Sequence, residues 1–187
     1  MGKMVDIGDL IMLLAGANGD KIEGRTVVQK QIYFFSQLYD KKISFGSGYY
    51  GPYSRDVAGA LASLVELGFL RETRETLPVQ SEFEPYKYTY TLTEGGKEVL
   101  ARIKEKHRDE AGDIEKFVSR LKETGAHQNV ITLSLAAKVG FIIDKKGASF
   151  CPDEQDLVRE AESLGWRINR NDIEKAAGFI LSIRKGK

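Results

Sequence analysis

A mainly α-helical fold with one small β-hairpin is predicted by this sequence of 187 residues. Apolar residues recur at helical spacing in several segments, which are bounded by glycine, proline, asparagine or a capping residue. Two further segments alternate by period two and flank a polar loop, which indicates a hairpin. The order of helix, helix, helix, strand, long loop and strand is that of a winged helix-turn-helix. The sequence therefore predicts an N-terminal winged helix-turn-helix followed by an all-helical C-terminal region.

The first two helices are predicted over residues 5–15 and from residue 26 to about residue 39. The polar run ANGDKIEG ends the first of them. Thr26 and Gln29 have the spacing of a capping box, in which two side chains satisfy free N–H groups at a helix start. Apolar residues occupy much of the girth of the second helix, so it is predicted to be the buried central helix.

The third helix is predicted to begin after Ser54, a favourable N-cap, and to end at Gly68, where a left-handed C-cap is expected. The segments FLRETRE and KYTYTL are predicted strands, and the polar loop TLPVQSEFEP separates them. Together they form the predicted wing, from Arg71 to Tyr90. Thr93 is predicted to cap the helix that follows.

The chain is predicted to divide into a winged helix-turn-helix domain, residues 1–108, and a helical domain, residues 109–187. The second part contains four segments with helical patterns. Small residues in one of them, including Ala136, Ala137 and Gly140, allow close helix approach within the chain or across a dimer. A homodimer is predicted, because helix-rich regulators commonly pair through such a region and a balanced surface does not repel itself.

Composition and charge limit the classes of function. The chain is 42% hydrophobic and 29% charged, which is ordinary for a globular protein, and its formal net charge is +1 at pH 7. The charges also balance on each side of residue 108, which counts against strong non-specific binding of nucleic acid. No window approaches the roughly 20 apolar residues of a membrane span, and Asp6 and Asp9 stand where a signal peptide needs positive charge. A cytoplasmic protein without membrane association is predicted.

Few residues of the kind that carry catalytic or metal chemistry are present. Cys151 is the single cysteine, which excludes an internal disulfide, and with His107 and His127 it leaves too few ligands for a zinc site. The role of Cys151 is left open. The sequence has no phosphate-cradling glycine loop, paired-carboxylate signature or supported Ser-His-Asp order. It therefore predicts a protein that is not an enzyme and needs no cofactor.

Two groups of segments resemble known families. LVELGFLRE and YTYTLTEGGKEVL resemble the end of the recognition helix, the wing and the following helix of many prokaryotic winged-helix regulators. VVQKQIYFFSQL and YYGPYSRDVAGAL resemble the signature of the YwgA-like proteins and of the related Panacea-type antitoxin domain. The residues that carry this second likeness are Gln29, Lys30, Ile32, Tyr33, Phe45, Tyr50, Gly51, Pro52, Tyr53 and Ser54. The resemblance covers the N-terminal part of the chain and implies a fold and a regulatory context rather than an activity.

The aromatic residues between residues 33 and 53 are predicted to pack mainly in the core, Tyr53 among them, with Tyr49 or Tyr50 as the exposed one. Lys30, Lys41 and Lys42 flank the central helix. They are predicted to be surface lysines, within reach of phosphates if the protein binds DNA.

A regulatory protein that acts mainly through protein–protein contact is the predicted function. The outward face of the third helix is small and carries one arginine against two acids, which suits a partner helix or peptide better than base edges. The alternative is a DNA-binding transcriptional regulator that uses the helix from Ser54 and the wing. The candidate contacts for a protein partner or for DNA are Arg55, Gly59, Ser63, Lys41, Lys42, Arg71, Arg74, Tyr49 and Tyr50.

Overall fold

The computed structural model describes residues 5–76, 86–147 and 153–184. Its elements follow in the order α1 (Ile7–Ala17), β1 (Lys21–Glu23), α2 (Arg25–Leu38), β2 (Gly46–Gly48), β3 (Gly51–Tyr53), α3 (Arg55–Glu66), β4 (Leu70–Thr76), β5 (Tyr86–Leu92), α4 (Glu94–Lys106), α5 (Arg108–Glu123), α6 (Val130–Lys146), α7 (Glu154–Ser163) and α8 (Arg170–Arg184). The mainly helical character is confirmed. Cys151 and the tip of the predicted wing lie outside the described residues. Within the described ranges, no helix has the length and apolar character needed to cross a bilayer.

The described chain forms two small antiparallel sheets, whereas the sequence predicts a single hairpin. In the three-stranded sheet the order is β1-β5-β4, and helices α1, α3 and α4 pack against its strands. Ile22 lies opposite Tyr90, and Leu70 lies opposite Leu92. The second sheet is a short hairpin of β2 and β3. Strands of three residues are too short to show alternation, so the sequence pattern does not reveal β1, β2 or β3.

Side chains cap two helices as predicted, and a third helix differs. The hydroxyls of Ser54 and Thr93 each accept a backbone N–H at the start of α3 and of α4. In contrast, the N-cap of α2 is Gly24, whose φ is 121°, and no side chain caps that end. The predicted capping box of Thr26 and Gln29 is therefore wrong, because the N-cap lies two residues earlier and Gln29 bonds the backbone of Ser54.

The centre of the core is α2, as predicted. Its aromatic residues reach the C-terminal helices: the ring centroid of Phe34 lies 5.5 Å from that of Phe179 in α8, and Phe35 lies 5.8 Å from Phe117 in α5. Buried residues on both sides of residue 108 form one hydrophobic core. The domain boundary at residue 108 stays a prediction, which a truncation can test.

Small residues of α6 allow this helix to pack closely on α2 and α8. Ala136 and Ala137 are fully buried, and Gly140 lies beside Tyr33 and Ile180. The small-residue face predicted for this segment is thus used within the chain. It supplies no argument for a homodimer, which remains a prediction.

Candidate functional site

A cleft lies between α2 and α3 and is bounded by the β2–β3 hairpin and by strands β4 and β5. We call it the α2–α3 cleft. Its cavity volume is about 840 Å³. On the α3 side the wall is apolar, from Ala58, Leu61 and Val65, and several tyrosines add to it. Polar side chains come mainly from the first turns of α2.

The polar wall of the cleft is one face of α2. Thr26, Gln29 and Lys30 line the cleft and follow helical spacing, so they lie on the same side of the helix. Gln29 and Lys30 are buried. Buried polar groups need hydrogen-bond partners. For Gln29 and Lys30 those partners come from the chain between β3 and α3.

The Gln29 side chain is paired with the backbone of Ser54. Its amide nitrogen donates to the Ser54 carbonyl at 2.9 Å, and its amide oxygen accepts the Ser54 N–H, also at 2.9 Å. Because both backbone groups of Ser54 are satisfied by one side chain, the first residue before α3 is held against α2. These two hydrogen bonds explain why residues 29–30 of α2 and residues 50–54 belong to one structural unit.

Lys30 is the most unusual residue of the cleft, since only 2% of its surface is exposed. Its ammonium donates a hydrogen bond to the Pro52 carbonyl at 2.8 Å. Burial, and then the nearby ammonium of Lys138, lower the pKa of Lys30 to about 7. No carboxylate of the described residues forms an ion pair with it. The prediction of Lys30 as a surface lysine is therefore wrong.

The β2–β3 hairpin is wedged between α2 and the C-terminal helices. Gly51 has a φ of 101°, and a Cβ placed there would lie 3.2 Å from Lys138 Cγ and 3.5 Å from Lys30 Cε. Only glycine fits this conformation and this space easily. The indole N–H of Trp166 donates to the Gly48 carbonyl at 2.7 Å. The hairpin that carries the cleft's tyrosines is thus fixed from two sides.

The opposite wall of the cleft is a hydrogen-bonded chain of Arg25, Tyr90 and Glu72. The Arg25 Nε donates to the Tyr90 hydroxyl at 2.9 Å, and that hydroxyl donates to Glu72 at 2.6 Å. The Arg25 guanidinium also lies 3.6 Å from the centre of the Tyr88 ring and 3.2 Å from a Glu72 oxygen. Burial, and then the bond to Glu72, raise the pKa of Tyr90. The charge of Arg25 is therefore already compensated.

The outward face of α3 adjoins the cleft. Arg55, Gly59 and Ser63 are exposed, as the sequence predicts for this face, but none of them lines the cleft itself. Arg71 and Arg74 are exposed on β4, where they alternate with Glu72 and Glu75. The guanidinium of Arg74 lies 4.4 Å from the centre of the Tyr86 ring.

The remaining candidate contacts are divided between the two ends of α2. Tyr49 and Tyr50 line the cleft, with Tyr49 79% exposed and Tyr50 partly buried. Lys41 lies beyond the other end of α2 and pairs with Glu110 of α5 at 3.2 Å. Its neighbour Lys42 is exposed. The structure therefore does not bring Lys41 and Lys42 together with the cleft.

Tyr53 also departs from the sequence-based expectation. The prediction that it is mainly a packing residue is wrong, because 45% of its surface is exposed and it lines the cleft. In contrast, Tyr33 packs as predicted and donates its hydroxyl to Asp144 at 2.7 Å. The sequence does not distinguish a buried tyrosine such as Tyr33 from an exposed one such as Tyr53. The path of the β2–β3 hairpin decides that Tyr53 lines the cleft.

No sequence pattern assigns Arg25, Glu72 and Tyr90 to a site, and the sequence predicts Lys30 at the surface. One signal was available for Lys30: a lysine between Val28 and Ile32 on a helix predicted to be buried around most of its girth. Chemically, the cleft offers a buried ammonium, hydroxyls of threonine and tyrosine, an apolar wall, an arginine, and the carboxylates of Glu66 and Glu72. In the described parts of the chain, no three His, Cys, Asp or Glu side chains gather to hold a metal ion. The arrangement is suited to binding.

The protein is mainly helical, with two small antiparallel sheets and a cleft that has polar and apolar walls. No family model matches the chain. It is similar to the uncharacterised protein YwgA of Bacillus subtilis strain 168, with 31% identity over 108 residues. The matched region covers 56% of this chain and 60% of YwgA. This similarity supports the resemblance to YwgA-like proteins that the α2 and β3 segments indicate.

Proposed function

We propose that this protein is a non-enzymatic regulatory protein that binds a protein partner in the α2–α3 cleft and across the outward face of α3. In this proposal the N-terminal part of the chain is a winged helix-turn-helix, with β4 and β5 as its wing. The observation that carries the proposal is the cleft, which combines a large volume, an apolar wall and an adjoining exposed helix face.

The order of α1, β1, α2, α3, β4 and β5, with the β2–β3 hairpin inserted between α2 and α3, supports the winged-helix part of the proposal. The same arrangement serves many functions, so the role has to be argued from the site. The resemblance to the Panacea-type antitoxin domain supports a regulatory context in which the fold contacts another protein.

The surface next to the cleft suits a protein partner. Gly59, Ala62 and Ser63 are exposed on α3, and their small side chains leave room for the close approach of another helix or an extended peptide. The apolar residues Leu61 and Val65 lie just inside the cleft. A partner that buries an aliphatic or aromatic side chain there gains about 1.5–3 kcal/mol for each one.

Site-specific photocrosslinking in the host cell tests this proposal. A photoreactive benzoyl-phenylalanine replaces Ala62 on α3, and in the matched control it replaces Ala177, an exposed alanine of α8. We expect a nuclease-resistant protein adduct at position 62 and not at position 177, with its identity checked by reconstitution from purified proteins. Equal adducts at both positions, or no protein adduct at position 62, would overturn the proposal.

DNA binding is the second candidate, and the exposure of Arg55, Arg71 and Arg74 on α3 and β4 favours it. Against it stand Asp56, Glu66 and the alternating acids of β4. A reader that neutralises about six phosphates loses affinity with a log–log salt slope near −5. We expect DNA binding to be weak and independent of the DNA sequence. A defined site enriched from a duplex library, with a preference that Arg55→Ala removes, would replace the protein-binding proposal with a transcription-factor role.

A further inference from the structure

The cleft contains a positive group without a negative counterpart. The Lys30 ammonium lies at the junction of α2, the β2–β3 hairpin and α6, and its side chain also lines the cleft. An ammonium has three N–H donors, and the structure assigns one of them, to the Pro52 carbonyl. Arg25, the other cation of the cleft, is paired with Glu72. Lys30 therefore differs from Arg25 in having no acid within ion-pair distance among the described residues.

An unpaired buried ammonium costs free energy, because burial removes its hydration and a single carbonyl replaces little of it. The described residues of the free protein do not supply an acid as the missing partner. Lysine is an unusual choice at a position that is only 2% exposed, since methionine or leucine would fill the same space without this cost. A ligand group that completes the pair would recover the lost energy in the complex.

We infer that Lys30 receives a carboxylate from the bound partner, so that the peptide in the α2–α3 cleft is anchored by one acidic group beside apolar side chains. The inference rests on the proposed function and names the chemistry of the partner. The carboxylate comes either from an Asp or Glu side chain or from the C-terminus of the partner.

The charge around the cleft favours a carboxylate over a phosphate. Glu66 of α3 and Glu72 of β4 line the same cleft and repel a dianion. One available ammonium matches one negative charge, while a phosphate recognition site generally draws on several donors. A peptide also uses the apolar wall of α3, which an inorganic anion does not.

Protonation of Lys30 adds a measurable property. The charged groups that face it are Lys138 of α6, which interacts with Asp172 of α8, and across the cleft Arg25, Glu66 and Glu72. With a pKa of about 7, Lys30 is about nine-tenths charged at pH 6 and about one-tenth charged at pH 8. Binding of a carboxylate to the charged form should weaken about tenfold over this range.

The experiment uses the full-length protein and two synthetic libraries of random octapeptides as probes. One library ends in a free carboxylate and the other in an amide. Binders are selected on the wild type, and all of them are kept for measurement on both the wild type and Lys30→Met. Affinities of the selected peptides are measured by titration calorimetry at pH 6 and pH 8. Lys42→Met, an equivalent change outside the cleft, is the control.

We expect the selected peptides to have either an acidic residue at a fixed position or a free C-terminus that binding requires. Comparison of the free-carboxylate library with the amidated library distinguishes these two sources of the carboxylate. Affinity should fall about tenfold from pH 6 to pH 8 in the wild type and in Lys42→Met. The affinity of Lys30→Met for these peptides should be weak and should not change between pH 6 and pH 8. Amidation of the peptide C-terminus, or Asp→Asn in the peptide, should likewise make binding to the wild type weak and independent of pH. This measurement keeps the test valid if Lys30→Met fails to fold.

Two results overturn the inference. Peptides that bind wild type and Lys30→Met equally would show a binding cleft without a role for Lys30, and the proposed function would stand. No acid-dependent binder from either library would remove the carboxylate site. The crosslinking at position 62 decides the proposed function separately, so the two failures are distinguishable.

Discussion

α2 and α3 are neighbouring helices with opposite relations to solvent. α2 buries 11 of its 14 residues, including Gln29, Lys30, Gln31 and Ser36, whereas α3 buries three of its 12. The polar residues inside α2 are bonded to other segments: Gln31, for example, bonds Asn18 and the His127 carbonyl. The polar side chains of α2 thus hold the fold together, whereas those of α3 are exposed together with its small residues.

Removal of the C-terminal helices, which cover α2 but not α3, is the strongest test of this difference in burial. A chain that ends at Arg108 exposes Phe34 and Phe35, which pack on Phe179 and Phe117. We expect it to lack a cooperative thermal transition in circular dichroism, because each large aromatic contributes about 3–5 kcal/mol when buried. A cooperative transition in the truncated chain would instead confirm the domain boundary at residue 108.

The buried ammonium of Lys30 should make stability depend on pH. Its pKa is about 7 in the folded protein and 10.5 in the unfolded reference. The unfolded chain thus binds more protons between pH 7 and pH 10.5, so this residue's contribution to stability rises with pH across that window. The gain from pH 7 to pH 10 should reach up to about 4 kcal/mol.

Urea unfolding of the wild type, Lys30→Met and Lys42→Met across this pH range measures the effect. The rise relative to Lys30→Met should appear in the wild type and in Lys42→Met alike. Parallel curves for wild type and Lys30→Met would mean that Lys30 is hydrated in the folded protein, and the contrast between the two helices would weaken.

Gln29 and Ser63 are a matched pair of polar residues on the two helices. Gln29→Ala leaves the buried N–H of Ser54 unpaired and removes one of the two bonds to its carbonyl, which still accepts the Ala58 N–H. It should lower the free energy of unfolding by about 2–3 kcal/mol. Ser63→Ala on the exposed face of α3 should change it by less than about 0.5 kcal/mol. Similar values for the two variants, measured by urea denaturation, would contradict a structural role for the Gln29 pair.

Tyr53 and Arg55 provide the smallest expected effects, at the start of α3. Because Tyr53 is 45% exposed, Tyr53→Ala should cost about 1 kcal/mol rather than the roughly 3 kcal/mol of a buried aromatic. Arg55→Ala should leave the melting temperature nearly unchanged, since surface substitutions usually stay within about 0.5 kcal/mol. A large loss at Tyr53 in thermal unfolding would restore the packing role that the sequence predicts.

Local patterns carried much of the prediction of the fold. The outward face of α3 follows from its spacing, with Gly59, Ala62 and Ser63 exposed as expected, and the caps at Ser54 and Thr93 depend on neighbours within four residues. The site was predicted less well. Tyr49 and Tyr50 line the cleft, but Lys41 is paired with Glu110 beyond the far end of α2. Its position depends on how α5 packs, which no local pattern records.

The helices, the β4–β5 hairpin and the exposed face of α3 follow from local sequence patterns, because periodicity and capping are properties of adjacent residues. Tertiary packing sets the burial of Lys30, the pairing of Gln29 with Ser54, and the cleft wall of Arg25, Tyr90 and Glu72. The partners of these residues lie between 18 and 65 positions away along the chain. Burial and pairing over such separations are set by how the elements pack, and the same lysine or glutamine would be solvated on a helix that packed differently.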